Sequence, residues 1–93
     1  MEIKKFDVAE WLKTDEDIQG FLAAAMREGT TSEFLHALNT AARAKGMRET
    51  AKKAGIPRES LYRALHAKNP RFDTVMKATR ALGFNLEVVP AGR

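Results

Sequence analysis

The feature that most constrains this chain is the stretch from Lys45 to Arg71, KGMRETAKKAGIPRESLYRALHAKNPR. Met47 to Ala54 carries a short helical pattern, Gly55-Ile56-Pro57 breaks it, and Arg58 to Leu65 carries a second pattern. Glycine ends a helix at little conformational cost, and proline is tolerated in a first helical turn. The inward positions are small or apolar (Ala51, Ala54, Ile56, Leu61, Ala64, Leu65). The outward ones carry Arg48, Lys52, Lys53, Arg58, Glu59, Ser60, Tyr62 and Arg63. That is the outline of a helix-turn-helix.

The rest of the chain reads as helices around this pair. At 93 residues it makes one domain, spanning residues 1–93, because a chain of this size buries only about two thirds of its unfolded surface and supports one core. Phe6, Trp11 and Leu12 predict a short amphipathic helix with Asp7 as its cap and Phe6 packed just before it; Phe6 and Trp11 are read as core. Asp15-Glu16-Asp17 opens a second helix, whose apolar stripe is Ile18, Phe21, Leu22, Ala25 and Met26 and whose end is Gly29. Thr30 to Glu33 fits a capping box, and the stripe Phe34, Leu35, Leu38, Ala41 and Ala42 runs on to Gly46.

Beyond the central motif, Asn69-Pro70 forces a turn. Phe72, Val75, Met76, Thr79 and Leu82 give a last helix ended by Gly83, and the alternation of Phe84, Leu86 and Val88 with polar neighbours reads as a strand over residues 84–89. One strand cannot pair with itself, so Phe84, Leu86 and Val88 are the candidate surface for a second copy of the chain. The expected fold class is all-α, with five or six short helices and a short C-terminal β-strand. Its layout is acidic helices over 1–29, the helix-turn-helix core over 30–83 and the strand over 84–89.

Charge divides the chain in two. Residues 1–40 hold four Lys or Arg against eight Asp or Glu, a net −4, whereas residues 41–93 hold twelve against four, a net +8. A basic back half favours a polyanion, and an acidic front favours a different, basic partner. On the second motif helix, Arg58 and Arg63 suit guanine O6 and N7, Glu59 suits cytosine N4, and Tyr62 suits a phosphate or a thymine methyl, with Ser60 beside them. Lys68, Asn69 and Arg71 in the following loop, and Arg48 on the first motif helix, are candidate phosphate contacts. The competing reading of all these residues is a solvated basic surface. Asp15, Glu16, Asp17 and Trp11 are the candidate surface for a basic protein, against the plainer reading that acids at a helix start answer the helix dipole.

Several classes are disfavoured. There is no cysteine, so disulfides and thiolate chemistry are excluded. His36 and His66 each lack a second ligand at metal spacing, Ser60 lacks a base, and there is no glycine-rich phosphate loop. The expectation is a non-enzyme with no metal or cofactor. The amino terminus lacks a signal-peptide core and no apolar run approaches the ~18 residues of a membrane span, so a soluble, cytoplasmic protein with no membrane partner is expected.

GMRETAKKAGIPRESLYRAL, then NPRF, then VMKATRALGF resembles the helix-turn-helix of the Xre/Cro repressor superfamily. It is similar above all to the antidote (antitoxin) proteins of addiction modules, HigA-like ones included. The D-E-D-I helix and the T-x-x-F-L-x-A-L-x-x-A-A-R-A-K-G-M run extend the resemblance over nearly the whole chain. Within that family Pro57 stands where Ser or Thr usually caps the recognition helix. The resemblance implies a type II antitoxin: a homodimeric repressor that binds double-stranded operator DNA of its own operon and neutralises a small basic RelE/ParE-like toxin. Two other readings stay open, a phage-type repressor without a toxin and a protein-interaction module that has lost DNA binding.

Overall fold

The structure, a computed structural model, describes residues 7–92. A 3-10 turn (Val8–Trp11) precedes five helices: α1 (Asp15–Glu28), α2 (Thr31–Lys45), α3 (Met47–Ala54), α4 (Arg58–His66) and α5 (Phe72–Ala81). The expected all-α architecture is present, with the helix breaks at or beside the predicted residues. The packing of Phe6 lies outside the described residues.

Local chemistry accounts for each break. Thr30 and Glu33 close the expected capping box at the start of α2, the Thr30 hydroxyl accepting from the Glu33 N–H and the Glu33 carboxylate accepting from the Thr30 N–H at 2.7 Å. Gly55 ends α3 in the left-handed region at φ 73°. There its N–H reaches the Lys52 carbonyl and the Ile56 N–H reaches the Ala51 carbonyl, the paired bonds of a Schellman motif. The same pair of bonds ends α5, from Gly83 to Arg80 and from Phe84 to Thr79. That turn folds the tail back so that Phe84 and Leu86 pack against the core.

Helix α2 is the hub, touching the 3-10 turn and all four other helices. It buries Phe34, Leu35, Ala37, Leu38, Asn39, Thr40, Ala41 and Ala42, much more than the one-sided stripe its periodicity predicts. The small residues let neighbours approach on several sides at once. Leu38, Leu61 and Leu82 are the largest side chains sealed completely, which ties α2 to α4 and to the end of α5. Buried threonines satisfy their hydroxyls on carbonyls one turn back: Thr40 to His36 at 3.0 Å, Thr50 to Gly46 at 2.8 Å and Thr79 to Val75 at 2.8 Å.

Two expectations are corrected. No strand forms over residues 84–89, because a strand exists only where its N–H and C=O groups meet a neighbour, and among the described residues there is no second strand. The alternation persists without the ladder: Phe84 and Leu86 are half-buried, Asn85 and Glu87 are exposed, and Val88 is 99% exposed. Trp11, read as core, is 65% exposed; the 3-10 turn buries no residue, and Leu12 packs against the core instead.

Candidate nucleic-acid interface

Helix α4 divides cleanly by face. Leu61 and Leu65 point into the core, while Arg58, Glu59, Tyr62 and Arg63 are exposed and together line a shallow cleft of about 410 Å³. Neither arginine has an ion pair among the described residues. Pro57 supplies no side-chain cap, so the first-turn N–H groups of α4 have no side-chain acceptor. Tyr62 and His66, one turn apart, stack with ring centroids 4.1 Å apart.

The other candidate DNA contacts lie outside that cleft. Ser60 is half-buried on its flank, and Arg48 is exposed on the first turn of α3. Arg71 is exposed at the start of α5, which also lacks a side-chain cap. Lys68 and Asn69 are exposed but line a different cleft, of about 440 Å³, with Pro70 and Phe72 against the junction of α1 and α2.

The acidic front is more occupied than its sequence suggests. Asp17 completes a capping box with Thr14, its carboxylate accepting from the Lys13 and Thr14 N–H groups at 3.0 and 3.1 Å. Those bonds, Lys13 first, hold its carboxyl below the usual aspartate range. Asp15 pairs with Lys45 at 3.0 Å, and Lys45 also donates to the Leu82 carbonyl at 3.2 Å, so the start of α1 and the end of α5 meet at one ammonium. Asp7 caps the 3-10 turn and takes both forks of the Arg43 guanidinium at 3.0 Å, which raises the Arg43 pKa. Glu16 is exposed with no ion pair among the described residues.

Sequence reasoning missed an apolar cleft of about 750 Å³ between α1, α5 and the tail, whose lining includes Met26, Phe72, Met76, Phe84, Leu86 and Val88. Phe72 is 67% exposed and Met26 half-exposed, although both sit on their helices' apolar stripes. Among the described residues no three His, Cys, Asp or Glu side chains converge on a metal site, and no helix is long and apolar enough to cross a membrane.

These features define a small helical protein with a basic helix face exposed and with Asp7, Asp15, Asp17 and Glu33 engaged at helix starts. Residues 2–90 match the family described as "Probable addiction module antidote protein". The chain is also 44% identical over 88 residues to an uncharacterised protein of Haemophilus influenzae, the match covering 94% of this chain and 91% of that one. No solved structure matches significantly. The chain belongs to the family of probable addiction module antidote proteins, and an antidote implies a toxin partner.

Proposed function

We propose that the chain is the antitoxin of a type II toxin–antitoxin system and represses its own operon, with α3 and α4 acting as a HigA-like, Xre/Cro-type helix-turn-helix. The observation that carries the DNA-binding reading is the cleft on α4, where two arginines with no ion pair among the described residues, a glutamate and a tyrosine project from a helix whose opposite side is locked into the core. Arg58, Glu59, Tyr62 and Arg63 reach base edges, with Ser60 on their flank. Arg48, Lys68, Asn69 and Arg71 hold phosphates and set affinity and salt dependence.

A homodimer places two copies of α4 in successive major grooves of a palindromic operator. Its surface is α5 with the tail, where Val88 and Phe72 stand exposed beside Phe84 and Leu86. The toxin is a small basic protein of the RelE/ParE-like class. It meets the 1–29 segment, where Glu16 and the still-exposed Asp15 and Asp17 supply charge and Trp11 supplies apolar area. The whole chain acts as one domain by binding, without catalysis.

Two experiments test this. Fluorescence anisotropy on the chain's own promoter across a salt series should show binding that weakens steeply with salt; no binding even at low salt removes the repressor role. Co-expression with the adjacent reading frame should restore growth and yield a co-purifying complex; a neighbour that is harmless alone, or that never co-purifies, removes the toxin assignment.

A further inference from the structure

His66 stands just outside the cleft on α4, yet it is bonded to one of that cleft's walls. Its Nδ1 lies 2.8 Å from the carbonyl oxygen of Tyr62. A carbonyl oxygen can only accept, so Nδ1 is the donor and the bond sets the orientation of the ring. In that orientation the imidazole lies over the Tyr62 ring, centroids 4.1 Å apart and planes inclined by 29°. The same imidazole therefore grips both the backbone and the ring of a single residue.

The grip matters because that ring is not part of the core. Tyr62 is 55% exposed, whereas Leu61 and Leu65 beside it on the helix are buried. An exposed aromatic side chain on a helix exchanges between two χ1 wells. With His66 stacked on it, the ring lines the cleft together with Arg58, Glu59 and Arg63.

We propose that His66 is a positioning residue: stacked on Tyr62 and bonded to its carbonyl, it holds the tyrosine ring as one wall of the α4 cleft, so that the cleft meets DNA already ordered. This rests on the reading that α4 faces DNA, and deepens it by naming a residue that acts on promoter affinity without touching the duplex. Ordering one such side chain in advance is worth about three- to tenfold in affinity.

The test uses the full chain and a duplex of its own promoter. His66→Ala should weaken specific binding about three- to tenfold while leaving the slope of log affinity against log salt unchanged, because no phosphate contact is removed. His66→Phe, which restores a ring to stack, should recover most of the loss. In a Tyr62→Ala background His66→Ala should cost nothing further, since its effect passes through that ring. Additive losses, or a salt slope shallower by about one unit, would instead make His66 a DNA contact in its own right and overturn the proposal.

A readout without DNA separates this from the parent reading. In the NMR spectrum of the free protein, the Tyr62 ring protons should shift upfield under the imidazole and lose that shift in His66→Ala; an unshifted ring in the unaltered chain defeats the proposal. If the shift is present but the promoter duplex is not bound, the DNA reading of α4 fails and the positioning role with it.

Discussion

The acidic front and the basic α4 face are both charged, and the molecule uses them in opposite ways. In front, Asp7, Asp15 and Asp17 are each tied to a partner: a guanidinium, an ammonium and a pair of backbone N–H groups. On α4, Arg58 and Arg63 have no ion pair among the described residues and project beside Tyr62 and Glu59. Charge counted along a sequence does not separate these cases. A carboxylate that caps a helix is part of the scaffold, whereas an arginine held out from a rigid helix with no partner is available to a ligand.

The comparison yields substitutions whose effects should fall on different measurements. Leu61→Ala strikes the core beneath α4, where the side chain is completely buried, and should lower unfolding free energy in urea by about 3 kcal/mol. DNA binding then falls only because less folded protein is present. Arg58→Ala and Arg63→Ala should each cost about 1 to 3 kcal/mol in specific promoter binding if they read bases, with stability unchanged within about 0.5 kcal/mol. A loss of stability from either would mean that the α4 face is structural too, and the contrast between the two regions would collapse.

Thr14→Ala removes the hydroxyl that accepts from the Asp17 N–H and should lower stability by about 1 kcal/mol without altering promoter affinity per folded molecule. The same cap sets a pH dependence. Because Asp17 has its pKa depressed in the folded chain, its contribution is present above the unfolded value near 3.8 and is lost as pH falls through the lower folded value. Asp17→Asn should therefore flatten the acid limb of a thermal-stability profile, and an unchanged limb would show that the cap is not formed in solution. The smallest effect belongs to Arg43→Ala. Its pair with Asp7 is substantially solvent-exposed, so a loss under about 1 kcal/mol, fading with added salt, is expected.

Much of this fold was legible because the chain punctuates itself. Gly29, the Thr30–Glu33 box, Gly55 and Gly83 act within a few residues of themselves, and local chemistry of that kind is written locally. What failed to show depended on what lies opposite. The apolar periodicity of α5 includes Phe72 on its stripe but does not say whether anything covers it, and in this chain it stands 67% exposed. The alternation of Phe84 to Val88 is that of a strand, yet the described chain offers no neighbour to complete one. The role of Asp17 was visible in principle, since Thr14 stands three residues before it, but an acid-rich run invites a reading as surface charge. Likewise Tyr62 and His66 are spaced one turn apart in the sequence, which permits their contact; only the folded helix shows the stack and the bond to the carbonyl.

The central claim is that Arg58 and Arg63 of α4, which have no ion pair among the described residues, meet DNA. It is tested most directly by anisotropy titrations of the chain's own promoter duplex at several salt concentrations, comparing the unaltered chain with the Arg58→Ala/Arg63→Ala double variant. The account predicts tight binding at low salt that weakens steeply as salt rises, and a loss of at least about tenfold in the double variant, which remains fully folded. Equal binding by the two proteins, or no binding by the unaltered chain at low salt, would contradict it.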